Sequence, residues 1–346
     1  MIDLKDLTLT ELEALAARRG EPRYRARQLA EWVFKHGVLS LAEMTNLPAG
    51  FRERLAGEAV VGRLEMLDSR VSLAGDTVKY LLGLDDGHAV ETVLMRHDYG
   101  RTVCVSSQVG CRMGCRFCAS ALGGWKRNLR PGEIYEQVLA VRRTSGEPVT
   151  HVVLMGMGEP LDNYENTLRF ITNVTAPYGL GISGRRITLS TCGLVPEIKK
   201  LARERFALTL AVSLHAPDNA LRDMLVPVNR KYPLEQLMPA CADYARRTGR
   251  RVSFEYILLG GVNDSPESAR KLSGLLKGTL GHVNLIPANP VPGSGGQAPG
   301  PEAVRAFRRV LEEEGVPVSL RRELGADIGA ACGQLRWRYR TEAYKE

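Results

Sequence analysis

Three of the seven cysteines stand in one short run, Cys111-Arg112-Met113-Gly114-Cys115-Arg116-Phe117-Cys118. Thiolates at this spacing can reach a single soft metal centre. The run offers only three protein ligands, so a cubane iron–sulfur cluster held there keeps one iron open. An open iron can chelate the amino and carboxylate groups of a substrate. A structural zinc completed by His151 or His215 is the alternative chemistry for the same thiols. Further on, Gly156-Met157-Gly158-Glu159-Pro160 is a glycine-bearing loop whose backbone groups can approach a ligand closely. Of the scattered cysteines, Cys192 and Cys241 read as small buried hydrophobes. Cys104 sits inside a strand-like run, and Cys332 is followed by Gly333-Gln334. In a long chain without a leader-like segment these do not form a disulfide framework.

Positioning these groups requires a large fold. The chain has 346 residues, 44% of them hydrophobic, enough for one large domain and a smaller one. Residues 4–55 carry a helical pattern, with Leu12 and Leu15 after an expected Thr10 cap and a break at Pro48. Residues 71–73, 78–82 and 90–94 read as short antiparallel strands separated by Gly75-Asp76 and Asp85-Asp86-Gly87 turns. After Arg101, apolar runs at 102–105, 151–155, 186–190, 207–214, 252–259 and 283–286 alternate with helical patterns at 133–143, 163–174, 195–204, 234–247, 266–276 and 302–313. Six strand–helix units at this rhythm predict an α/β fold with a parallel sheet, best as a partial (β/α)6 barrel, with a doubly wound sheet as the alternative. The expected division is 1–58 as a helical accessory RNA-binding domain, 59–96 as a short β extension, and 97–346 as the core with a tail carrying Cys332. In such folds chemistry collects where strands end. The cysteine run, the glycine loop, Ser190 to Gly193, Ser213 to Ala216 and Pro287 to Pro290 all fall there, so one face should carry one large site.

The C-x3-C-x2-C spacing after the first barrel strand resembles the cluster motif of radical S-adenosylmethionine (SAM) enzymes. The resemblance narrows with Val105-Ser106-Ser107-Gln108-Val109-Gly110, Lys126-Arg127-Asn128-Leu129-Arg130, residues 155–161, Ser213 to Ala216 and Ala330-Ala331-Cys332-Gly333-Gln334-Leu335. Together these are similar to the bacterial dual-specificity 23S rRNA/tRNA adenine carbon-2 methyltransferases, over nearly the whole chain. The resemblance implies one [4Fe-4S] cluster on Cys111, Cys115 and Cys118, and SAM contacts at Gly158, Glu159, Ser190, Ser213, Leu214, His215 and Asn289. On physics alone His215 reads as a hydrogen-bonded structural histidine, and Glu91 as a rim carboxylate. The resemblance gives Cys332 the role of methyl acceptor, Glu91 that of the base, and Cys104 that of the thiol that forms a disulfide with Cys332. Cys192 departs from the family, which more often carries a small or hydroxyl residue there.

Lys plus Arg number 47 against 39 Asp plus Glu, a formal charge of +8 with pI about 9.2, which attracts polyanions. Basic pairs at Arg18-Arg19, Arg185-Arg186, Arg246-Arg247, Arg250-Arg251 and Arg321-Arg322, and Arg336, Arg338 and Arg340, are candidate phosphate contacts. The resemblance implies 23S rRNA and tRNA as substrates, two SAM per turnover and a flavodoxin-like or other electron donor. A cytoplasmic monomer without a membrane partner is expected, since no leader pattern or bilayer-length apolar run occurs. The nearest rival is a carbon-8 adenosine methyltransferase of the antibiotic-resistance type. A zinc-stabilised RNA-binding protein and a radical SAM activase acting on protein are rivals from other classes.

Overall fold

The computed structural model describes residues 1–289, 297–336 and the backbone of 338–339; Pro290 and Arg340 lie outside the described residues, as does the side chain of Arg338. The chain opens with β1 (Ile2–Asp3), α1 (Leu9–Arg18), α2 (Arg23–Ala30), a π-helical turn at Glu31–His36, α3 (Ala49–Ala56) and β2 (Ala59–Val60), which pairs parallel with β1. The cap of α1 is Thr8 rather than Thr10. Glu11 stands three residues after Thr8, so its carboxylate reaches back to the Thr8 N–H at 2.8 Å while the Glu11 N–H donates to Thr8 Oγ at 3.4 Å. Leu12, Leu15, Leu29, Phe34, Phe51 and Leu55 are buried and belong to the same core as the rest of the molecule.

Three antiparallel strands follow: β3 (Glu65–Val71), β4 (Thr77–Gly83) and β5 (His88–His97). The first ends at Val71, where the 71–73 run predicts a strand to begin. Leu73 is instead a turn residue, 97% exposed, whose N–H donates to Asp327.

β6 (Gly100–Cys104) pairs antiparallel with β5 and starts the parallel series. After it come the small hairpin strand β7 (Gln108–Val109), α4 (Ala119–Leu122), β8 (Arg127–Asn128), α5 (Pro131–Ser145), β9 (His151–Leu154) and α6 (Tyr164–Thr175). Next are β10 (Ile187–Thr191), α7 (Val195–Leu201), β11 (Thr209–Ser213), α8 (Asn219–Leu225) and α9 (Leu234–Thr248). The series closes with β12 (Val252–Leu258), α10 (Pro266–Leu276), β13 (Gly281–Pro287), α11 (Pro301–Glu313) and β14 (Val318–Leu320).

The sheet order is β6-β9-β10-β11-β12-β13-β14, every pair parallel. Strands laid down in sequence order give a barrel. A doubly wound sheet reverses its order at a switch point, and this sheet does not. β14 makes a seventh parallel strand beyond the expected six; Val318-Ser319-Leu320 is too short for its pattern to stand out. A final strand, β15 (Arg338–Tyr339), pairs antiparallel with the His88–Ala89 end of β5. No helix among the described residues is long and apolar enough to cross a membrane.

Candidate active site

One cavity is lined by side chains from β5, β6, β9, β10, β11, β12 and β13 and by Arg321 just past β14, so the sheet curls round it. Cys104, Cys111, Cys115, Cys118, Gly158, Glu159, Ser190, Ser213, His215 and Cys332 all reach its wall. Loops far apart in sequence meet on this one face because the strands that carry them are parallel and consecutive.

The cysteine loop is fixed by its backbone. The Cys118 N–H donates to the Cys115 carbonyl at 3.2 Å, and Gly110, at φ 73°, sits where a Cβ would lie 1.8 Å from the Gly124 carbonyl oxygen. Burial pushes the Cys118 thiol up to about 11 and Cys111 still higher. A bound metal centre reverses that preference, since its positive charge favours thiolate. The three soft sulfur donors facing one cavity fit a cluster with an open iron. Neither histidine proposed for zinc completes them simply: His151 begins β9 at the end away from the loop, bonded to Thr150 Oγ1, and the His215 Nδ1 accepts the Ile257 N–H at 3.0 Å.

Cys192, at the end of β10, is part of the same wall, with its sulfur 3.6 Å from that of Cys115. Cys104 closes β6 and is buried, which pushes its thiol up to about 12. All seven cysteines are free thiols.

Glu159 is buried, with Oε2 accepting the Cys192 N–H at 2.7 Å and Oε1 the Leu161 N–H at 3.0 Å. Desolvation nonetheless pushes its carboxyl up to about 7. The glycines of this loop are required by the protein itself: a Cβ on Gly158, at φ 103°, would lie 2.6 Å from the Gln108 Cβ, and one on Gly156 2.6 Å from the Val105 carbonyl oxygen. They pack closely against the Val105–Gln108 segment on one side, while Gly156 and Gly158 both line the cavity on the other.

His215 is the one non-glycine among the described residues with positive φ, 59°. The strain is held by Asn263, whose Nδ2 donates to the His215 carbonyl at 2.8 Å, and by the Phe117 ring, edge-on at 4.6 Å. Burial, helped by Arg222, lowers the imidazole to about 3, so it is neutral.

The segment carrying Cys332 crosses from the β extension to the cysteine loop. The Ala119 N–H donates to the Gly333 carbonyl at 2.7 Å, and Ser120 Oγ to the Leu335 carbonyl at 2.6 Å. This ties the methyl-acceptor candidate directly to the helix that follows Cys118.

The radical SAM superfamily model matches residues 105–272, and the ribosomal RNA large subunit methyltransferase N-terminal domain model matches residues 2–61. A probable dual-specificity RNA methyltransferase RlmN of Desulforudis audaxviator is 87% identical over 318 residues, 92% of this chain and all of the relative. The chain belongs to the RlmN family of radical SAM RNA methyltransferases. The RlmN of Pelotomaculum thermopropionicum, also named probable, is 64% identical across 97% of the chain and 91% of its own length. A crystal structure of a radical SAM methyltransferase from Sphaerobacter thermophilus superposes with a TM-score of 0.93 at 47% identity, covering 97% of this chain and 99% of that one.

Within this RlmN fold, three expected site residues stand apart from the cavity wall. The Leu214 side chain is buried in the core, leaving only backbone near the site. Asn289 lines a second cavity of about 500 Å³, which shares Arg321 and Cys332 with the first. Glu91 is no rim carboxylate: it is 3% exposed, with Oε1 3.2 Å from Lys79 Nζ and Oε2 accepting the Arg336 N–H at 3.0 Å.

Other residues escape a reading of the sequence. Glu255 lines the RlmN cavity and accepts from Ser253 Oγ at 2.7 Å and Asn284 Nδ2 at 2.8 Å. Arg321, expected to face phosphates, points into the barrel between the two cavities. Arg222, fully buried, donates to the carbonyls of Cys192 (2.7 Å), Ser213 (3.1 Å) and Leu214 (3.2 Å), binding two site loops together. A basic residue in an otherwise amphipathic segment, 219–225, is the signal available for it.

Proposed function

We propose that this chain methylates carbon 2 of an adenosine in the peptidyl-transferase centre of 23S rRNA and of the adenosine 3′ to the anticodon in certain tRNAs, carrying the methyl group on Cys332. The observation that carries this reading is that Cys332 and Cys104 share one cavity with Cys111, Cys115 and Cys118. Carbon 2 of adenine is electron-poor and has no lone pair, so it cannot displace a methyl group from a sulfonium. A thiolate can, which makes Cys332 a sensible carrier.

A [4Fe-4S] cluster on Cys111, Cys115 and Cys118, with SAM at its open iron, would supply the radical chemistry such a carbon demands. Cys332 takes the methyl group of a first SAM. Once a hydrogen atom has been removed from that methyl group, its carbon bonds to the flipped-out adenine, joining enzyme and RNA. Glu91 takes the ring proton. The adduct radical gives up one electron as that proton leaves, an electron the cluster would take back. The Cys104 thiolate then attacks the Cys332 sulfur: the S–S bond forms as the S–C bond breaks, the bonding pair stays on the methylene carbon, and a proton from solvent completes the methyl group of the departing base. Thiol reductants reopen the disulfide, and a flavodoxin-like or other donor supplies electrons. Gly158, Glu159, Ser190, Ser213, Leu214, His215 and Asn289 are the SAM positions in this scheme, which uses two SAM per turnover. The net charge and the N-terminal module support RNA binding by a cytoplasmic monomer.

The test is mass spectrometry of nucleosides from 23S rRNA and tRNA treated with the brown, cluster-loaded protein, SAM and reductant. The reading expects 2-methyladenosine, absent with Cys332→Ala. Methylation at carbon 8 overturns the assignment of carbon 2, and a colourless zinc protein that ignores SAM overturns the whole scheme.

A further inference from the structure

The segment that carries Cys332 does more than pass the cavity. It runs along one face of the β3–β5 ribbon, and its contacts follow the ribbon in order. The Leu73 N–H donates to Asp327 at 2.8 Å, a Cβ on Gly325 would meet Thr77 Cγ2 at 2.7 Å, and β15 finally pairs with His88–Ala89. Between these points stands Lys79, with only 11% of its side chain exposed. Its Nζ donates to the Gly329 carbonyl at 3.2 Å and lies 3.2 Å from Glu91 Oε1.

Glu91 is paired with Leu81 of β4 on one side and faces a gap between strand partners on the other edge of β5. The 93–97 half of β5 pairs with β6, and its 88–89 end pairs with β15. On that edge Ser106 Oγ donates to the Glu91 carbonyl at 2.8 Å. Asp68 and Arg70 of β3 share the small pocket at Lys79 and Glu91. Removing a buried cation from such a pair leaves a desolvated carboxylate free to turn.

We propose that Lys79 is a positioning residue, tying the Glu91 carboxylate, which lies outside the wall of the cavity, to the Cys332 segment so that docking of that segment sets the orientation of the proton acceptor. The inference rests on the reading of Glu91 as the base. Lys79 touches neither RNA nor cofactor in this role. It acts by fixing one carboxylate oxygen while the Arg336 N–H fixes the other, and by making that orientation conditional on Gly329 being docked.

The experiment uses cluster-loaded, full-length Lys79→Met, Lys79→Arg and Glu91→Gln proteins. Cluster absorbance and SAM-dependent methylation of Cys332 are followed by spectrum and intact mass, and the RNA–protein adduct by denaturing gel. Lys79→Met is expected to keep cluster and Cys332 methylation, release methylated RNA at least ten-fold more slowly, and accumulate the adduct. Lys79→Arg restores release. Hydrogen exchange of residues 325–336 rises in Lys79→Met even without cluster. Release at the normal rate by Lys79→Met, with Glu91→Gln blocked, overturns the role of Lys79 alone. Normal release by Glu91→Gln overturns the base reading and the inference with it. Loss of Cys332 methylation in parallel with release reduces Lys79 to a structural residue.

Discussion

The sulfur atoms of Cys115 and Cys192 lie 3.6 Å apart. Cys115 belongs to the cysteine loop and Cys192 to the end of β10, whose backbone is held by Glu159. In the proposed scheme a bound cluster would engage Cys115 as a ligand; without it, the two thiols face each other directly.

Cluster-free protein treated with diamide should therefore form a Cys115–Cys192 disulfide, diamide taking up the two hydrogens. Non-reducing peptide mass spectrometry identifies the bond. Oxidised protein should fail to take up iron and sulfide until reduced, whereas Cys192→Ser should keep most of its capacity. A bond between two members of the cysteine loop instead would contradict the expectation.

Glu159 predicts a pH dependence. Its carboxyl is raised by burial from 4.5 to about 7. Between those values the folded protein holds a proton that the unfolded chain has lost, so stability falls as pH rises through the window. Each tenfold change in proton activity across that window is worth about 1.4 kcal/mol, so cluster-free protein should lose about 3 kcal/mol between pH 4.5 and pH 7 relative to Glu159→Gln. Urea midpoints of both proteins at pH 5 and 7 measure the difference; parallel curves would mean Glu159 ionises normally.

The glycines separate cleanly. Gly158→Ala places a Cβ 2.6 Å from Gln108 at φ 103° and should cost about 3 kcal/mol and disturb the loop between β9 and α6. Gly274→Ala, inside α10 with nothing within 4 Å of the new Cβ, should raise stability by about 0.5–1 kcal/mol. Thermal unfolding ranks the two.

Cys104→Ala should leave Cys332 methylation intact and trap RNA covalently on Cys332. A denaturing gel with labelled rRNA fragment reads the adduct, and free methylated RNA at normal yield would remove Cys104 from the release step.

Much of this architecture is legible in residue order. Parallel strands buried on both faces give continuous apolar runs, and runs such as 151–155 and 252–259 mark their strands to within a residue or two of the observed ends. Thr10 is a plausible cap because hydroxyl side chains cap helices in general. Thr8 and Thr10 each have a glutamate three residues on, Glu11 and Glu13, so spacing does not separate them; the structure closes the capping box on Thr8 with Glu11 and pairs Glu13 with Arg23. The cysteine loop is legible because ligand spacing is local. The setting of Glu91 is not, since Lys79 and Arg336 reach it from different parts of the chain. Nor is the interior acceptor Glu255, whose partners are Ser253 and Asn284, with Ser319 donating in turn to Asn284, a chain across three neighbouring strands.

The contacts that dock the Cys332 segment join residues far apart along the chain: Leu73 to Asp327 spans 254 positions, Lys79 to Gly329 250, and Glu91 to Arg336 245. Contacts of such long separation carry the largest closure entropy and follow local ones during folding. The docking of Cys332 is accordingly expected to follow formation of the barrel between these points. A chain stalled before that step would hold Cys332 away from the cavity, so closing these three contacts is the condition for its sulfur to meet the Cys111–Cys118 loop.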